Sequence, residues 1–182
     1  MAKMPRIVYR HNNTLRFIVS AIGEPGEREF FLQIKSPDGI NTIAVEKEQV
    51  RALSDQISNL IAEVRRSGLA PKGDTSVAPK IDNEPIEFPI EKDFQLGVAN
   101  LAWRNNQIEL TLQAISSDDL ILLDDLEDGP DLIISTIPID LAKGFCLRAN
   151  DLVNQGRPAC PFCGLPMNQS GHLCPRANGY RR

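Results

Sequence analysis

The chain is predicted to fold as an α+β protein: an antiparallel sheet built from two strand-strand-strand-helix halves, followed by a zinc-knuckle-like tail. Three observations predict this. Runs of alternating apolar and polar residues recur in both halves, and each set is followed by a stretch with apolar residues at helical spacing. Three of the four cysteines and one of the two histidines then crowd into residues 160–174. A length of 182 residues suits one well-buried domain with a small appendage, so the expected boundaries are 1–155 for the α+β domain and 156–182 for the metal-binding tail.

The first expected strand is Leu15 to Ile22, a β-rich run that ends in the turn signal Gly23-Glu24-Pro25-Gly26. Phe30, Leu32 and Ile34 alternate with Phe31 and Gln33, as in a strand with one face buried. Ser36-Pro37-Asp38-Gly39 turns the chain into a third strand over Asn41 to Val45. Val50, Leu53, Ile57, Leu60, Ile61 and Val64 then share one helical face. Glu46 and Glu48 favour the positive end of that helix dipole, Arg65 and Arg66 the negative end, and Gly68 is placed to close it.

Pro71, Pro79, Pro85 and Pro89, with Gly73, Asp74 and Ser76 among them, make residues 70–89 a connection rather than an element. Beyond it, Phe94, Leu96 and Val98 mark a strand, and Ile108, Leu110, Leu112 and Ala114 mark its hairpin partner across the turn Arg104-Asn105-Asn106. An acidic loop precedes a third short strand at Leu132-Ile133-Ile134. Pro138 suits the first turn of a second helix, whose apolar stripe holds Leu141, Phe145 and Leu152, with Cys146 and Val153 beside it. Gly156 and Pro158 stop that helix. Helices packed on one face of an antiparallel sheet follow from this order.

Charge and composition narrow the function classes. A net charge of −4 and a pI near 5.2 oppose broad nucleic-acid binding, which draws its affinity from neutralising phosphates. No apolar run approaches the roughly 18 residues of a membrane span. Met1-Ala2-Lys3-Met4-Pro5-Arg6 begins no signal-peptide apolar stretch, so a cytoplasmic protein is expected.

In such a compartment, cysteines at C-x-x-C spacing fit metal binding better than a disulfide framework. Cys160-x-x-Cys163 can bring two thiolates together in one turn, with Gly164 relieving the tight backbone. His172 and Cys174 are two apart, so an extended segment points both the same way. Four protein ligands around one zinc leave no position for water, which makes the expected site structural rather than catalytic. Cys-Pro-Phe-Cys also has redox-dipeptide spacing, but that motif belongs between a strand and a helix near the start of its fold. An iron–sulfur cluster on three cysteines and one histidine is the remaining metal alternative.

Other candidates are plainer. Cys146 reads as a core cysteine, and His11, beside Asn12 and Asn13, as a surface residue of an early turn. The run of Asp118, Asp119, Asp124, Asp125, Glu127, Asp128 and Asp131 lacks the glycine and glutamate placement of an EF-hand loop and reads as a solvated loop. No P-loop, G-x-S-x-G or H-E-x-x-H pattern occurs. Arg176, Arg181 and Arg182 around Tyr180 form a small basic tail able to meet an RNA phosphate, a reading that the acidity of the rest disfavours.

The tail, Cys160-Pro161-x-Cys163-Gly164-x-Pro166 and then Gly171-His172-x-Cys174-Pro175-Arg176-x-Asn178-Gly179-Tyr180-Arg181-Arg182, resembles the signature of a bacterial family of unknown function, best known from high-GC Gram-positive bacteria. The likeness extends to Gly23-x-Pro25-Gly26-x-Arg28-x-Phe30-x-Leu32-Gln33, Glu46-Lys47-x-Gln49-Val50, Phe94-x-Leu96-Gly97 and Asp128-Gly129-Pro130-Asp131. It implies no assigned activity, and it carries the ligand set over to Cys160, Cys163, His172 and Cys174.

The function expected from these readings is a non-catalytic protein-interaction module with a structural zinc, its protein partner unidentified. Two alternatives stand beside it. One is an enzyme acting on a phosphorylated metabolite, which would need residues such as Asp124, Asp125, Arg28 or Lys35 to converge in space. The other is RNA binding through the knuckle and its arginines.

Overall fold

A connection of only four residues, 12–15, links the two opposite edges of the sheet, and this controls its shape. The computed structural model describes residues 5–117, 121, 123–124, 128–156, 159–165, 167 and 171–176. Its strands are β1 (Val8–His11), β2 (Arg16–Ile22), β3 (Glu29–Ser36), β4 (Gly39–Val45), β5 (Lys92–Arg104), β6 (Gln107–Ala114) and β7 (Leu132–Ile137). The helices are α1 (Lys47–Ser67) and α2 (Ile139–Asn154). The sheet runs β1-β7-β6-β5-β4-β3-β2.

The two strand-strand-strand-helix halves are present as β2-β3-β4-α1 and β5-β6-β7-α2, with β1 added to the second meander. The sheet is mixed rather than purely antiparallel: β4 pairs parallel with β5, and β1 parallel with β7. The reason lies in the connection. A crossover through α1 carries the chain back to the end at which β4 began, so the next strand must run the same way.

Local signals make each element. Glu46 and Gln49 form a capping box at the start of α1, and Gly68 closes it in the left-handed region at φ 68°. Asn105 and Asn106, both at positive φ, form the tight β5–β6 hairpin. α2 begins one residue later than the sequence suggests, with Pro138 as N-cap. β5 continues well past Val98, to Arg104; its first part pairs with β4 and the rest with β6, across an irregularity between Leu96 and Val98. Gly97 sits at that irregularity because a Cβ there would stand 2.9 Å from the Ala114 carbonyl oxygen.

A flat sheet of this many strands would set its edges about 29 Å apart. The five chain steps from His11 to Arg16 span at most about 18 Å. The sheet therefore curls until β1 approaches β3 and β4. At the meeting point His11 is buried, not exposed at the surface as its neighbours Asn12 and Asn13 suggest. Its Nδ1 lies 2.7 Å from Ser36 Oγ and its Nε2 lies 2.8 Å from Asn41 Oδ1. Thr14 Oγ1 and Ser135 Oγ pair at 2.7 Å beside them. A buried polar group without a partner is costly, so these matched pairs fix where the edges meet.

One core fills the inside of this curl. Phe17, Val19, Leu32, Ile34 and Ile43 meet Ile108, Leu110, Leu112, Ile133 and Ile137 through the apolar faces of both helices. Phe17 of the edge strand stacks on Phe145 of α2, with ring centroids 4.2 Å apart. The opposite face of β2–β4 carries a second cluster, Ile18, Phe31 and Ile86. Ile86 belongs to the proline-rich connection, which has one short helical turn, Asp74–Ser76, and otherwise no element.

That connection is bound along most of its length. Lys143 Nζ donates to the carbonyls of Thr75 and Val77, and Lys80 N–H donates to Asp140 O. Arg16 grips the Asp82 carboxylate with two hydrogen bonds, of 2.6 and 3.0 Å. Arg148 donates to Val19 O, Asp82 O and Glu84 O, which covers the open edge of β2. The buried Gln33 amide exchanges hydrogen bonds with the Glu87 backbone in both directions.

Two consequences are testable. A Cβ on Gly144 would lie 1.9 Å from Lys80 O, and that atom is backbone held in place. Gly144→Ala is expected to destabilise the protein by about 2–4 kcal/mol in urea unfolding, and a neutral effect would refute the packing. The Arg16 hydrogen bonds hold the Asp82 carboxyl below its usual range, against the opposing effect of burial. A lowered folded pKa contributes stability above the unfolded value and loses it as the pH falls through the folded one. Asp82→Asn should therefore cost about 1–3 kcal/mol at pH 7, with the gap to wild type narrowing below about pH 4. A gap that is constant with pH would contradict this role.

Candidate metal centre

The centre is assembled by a short knuckle after α2. Cys160 N–H donates to Leu165 O and Gly164 N–H to Cys160 O, each at 2.8 Å, so the C-x-x-C segment is folded back on itself. Gly164 at φ 74° and Gly171 at φ 85° adopt backbone that side chains with a Cβ disfavour. Arg176 donates to Phe162 O at 3.2 Å and ties the second ligand segment to the first.

These contacts bring Cys160, Cys163, His172 and Cys174 together, their ligand atoms all within 4.8 Å of one another. Cys160 Sγ and Cys174 Sγ are 3.8 Å apart, and Cys163 Sγ and His172 Nε2 are 3.6 Å apart. A tetrahedral zinc with Zn–S about 2.3 Å and Zn–N about 2.05 Å has edges of about 3.8 and 3.6 Å. These two separations thus match edges of a tetrahedron around one ion. Cys160 and Cys174 are buried, while Cys163 and His172 are partly exposed.

The thiols are already differentiated. The Cys160 pKa is lowered to about 6, mainly because the backbone N–H groups of Cys163 and Phe162 point at its sulfur, with help from His172. Burial, with the neighbouring Cys174 and Cys160, pushes the Cys163 thiol up. The four side chains together could hold a metal ion. All four cysteines of the chain are free of disulfides.

The remaining candidates fall elsewhere. Cys146 is buried, donates to Ser54 O at 3.4 Å and has its pKa raised by burial, as suits a core cysteine. Lys35 pairs with Glu87 at 2.8 Å, Arg28 donates to Gln155 O, and the Asp124 carbonyl accepts from Arg6, so these three residues have separate partners. Asp131 accepts the Ile7 N–H at 2.9 Å. Asp118, Asp119, Asp125 and Glu127 of the acidic run, Pro158, Pro166, Asn168 and Ser170 of the tail, and Tyr180, Arg181 and Arg182 lie outside the described residues. Among the described residues no helix is long and apolar enough to cross a membrane.

Residue spacing did not reveal the knuckle's apolar outer surface. Phe162, Leu165 and Leu173 are 64%, 50% and 87% exposed. Their position between ligands was visible in the sequence; the direction in which they face was not.

No curated protein and no solved structure matches this chain. A family model does match, over residues 9–174, from within β1 to the last of the four clustered side chains. The chain therefore belongs to the family described as protein of unknown function DUF3090.

Proposed function

We propose that this protein is a non-catalytic, protein-interaction module whose C-terminal knuckle is held in shape by one structural zinc on Cys160, Cys163, His172 and Cys174. The observation that carries the reading is the agreement of the 3.8 Å and 3.6 Å separations with the edges of a zinc tetrahedron. Four protein ligands fill the coordination sphere and leave no place for a reactive water, which supports a structural role. Ion binding would contribute on the order of 10 kcal/mol to ordering a segment too small to bury its own core. A reducing compartment such as the cytoplasm keeps thiols available as ligands and suits the reading.

The interaction role is supported by Phe162, Leu165 and Leu173. Large apolar side chains exposed on one small unit are a feature of contact surfaces. The occupant they favour is a protein with an apolar pocket, because Arg176, the described arginine of the basic tail, is engaged with Phe162 O.

Elemental analysis of protein purified without chelators should find one zinc per chain, and Cys163→Ser should lower that content. Iron, or no metal, would defeat the proposal. The partner claim has its own test. Phe162→Ser combined with Leu173→Ser should release a stoichiometric protein partner that the wild-type chain retains, with zinc content unchanged. Equal retention by both proteins would dismiss the knuckle as the contact.

A further inference from the structure

Away from the knuckle, two adjoining cavities of about 400 and 480 Å³ open where the turn after β2 meets the start of α1 and the end of α2. Both are lined by Arg28, Phe30 and Lys47. Leu152 and Gly156 border the first, and Lys92 borders the second. Their sizes fall in the range of small-molecule sites, and the mixture of apolar wall and few charged groups is typical of them.

The charges are unevenly used. Arg28 donates one N–H to Gln155 O at 3.1 Å, which holds its guanidinium at the cavity and leaves its other donors uncommitted among the described residues. Lys47 is half-buried, at the first position of α1, and has no hydrogen bond or ion pair among the described residues. Its ammonium lies close over Gly156, only 3.9 Å from where a Cβ would stand. Two carboxylates also border the second cavity. Glu46 is occupied by the α1 capping box and accepts from Gln95, and Glu29 is exposed. In a chain of net charge −4, Arg28 and Lys47 converging on both cavities, with Lys92 at the second and the Lys47 ammonium unpaired among the described residues, form a local exception.

We propose that this cleft binds a small organic phosphate, its phosphate held between Arg28 and Lys47 and its apolar body against Phe30 and Leu152. A guanidinium fork matches the geometry of a phosphate or carboxylate, and the second cation favours the dianion of a phosphate monoester over a single carboxylate. The proposal is independent of the zinc reading, because none of its residues is a knuckle ligand.

The test is a titration of the full-length protein with phenyl phosphate, benzoate and phenol, followed by the amide chemical shifts of Arg28, Lys47 and Gly156. Phenyl phosphate should give saturable shifts at these three positions, benzoate should bind more weakly, and phenol should not bind. Lys47→Gln should weaken phenyl phosphate binding about tenfold or more with no change in melting temperature, since Lys47 has no hydrogen-bond or ion-pair partner to lose among the described residues. Arg28→Lys should weaken it as well. Absence of saturable shifts, equal binding of benzoate, or full binding by Lys47→Gln would each overturn the assignment.

Discussion

The architecture depends on the short link between β1 and β2. Those strands occupy opposite edges of the sheet, yet four residues separate them in sequence, so the sheet has no option but to curl. Curling makes an interior, and the interior takes both helices. It also brings β1 to the β3–β4 hairpin, where His11, Ser36 and Asn41 satisfy one another. The apolar core supplies the bulk of the driving force. The polar cluster decides the register in which the edges meet, since a misplaced His11 would leave its buried partners unsatisfied.

A second layer of constraint comes from the proline-rich connection. It follows α1 and crosses α2, the β2 edge and the back of β3 before entering β5. Its carbonyls accept from Lys143, Arg16 and Arg148, and its Ile86 seals the face away from the helices. A segment without regular structure thus acts as a strap. Proline suits that role, because a chain with few N–H donors of its own is best held by side chains that donate to it.

Much of this was legible in the sequence, element by element. Alternation located β3, β6 and the start of β5, β-rich runs beside turn signals located β2 and β4, a short apolar run located β7, and the 3.6-residue stripe with its flanking charges located α1. The clustering of Cys160, Cys163, His172 and Cys174 was readable because soft side chains at knuckle spacing have few other uses in a tail this short. What escaped was non-local. β1 is too short and polar to stand out, and its pairing with β7 lies more than a hundred residues away. The length of β5 was missed because Gly97, Asn100 and Arg104 interrupt an apolar pattern that changes partner midway. His11 read as a surface residue since nothing beside it signals that the sheet closes over it. The cleft at Arg28 and Lys47 joins three separate stretches of chain, and no spacing rule connects them.

The arrangement of β1 and Arg148 bears on how the protein is made. Strand β1 is hydrogen-bonded to β7, which is translated more than a hundred residues after it, and β2 is shielded by an arginine from α2. Neither edge can be completed until β7 and α2 have emerged. During synthesis, Phe17, Ile18 and Val19 stay without their eventual cover, and a sheet with such distant pairings assembles slowly. The nascent chain is thus exposed to aggregation through the very segment that the finished protein guards most thoroughly.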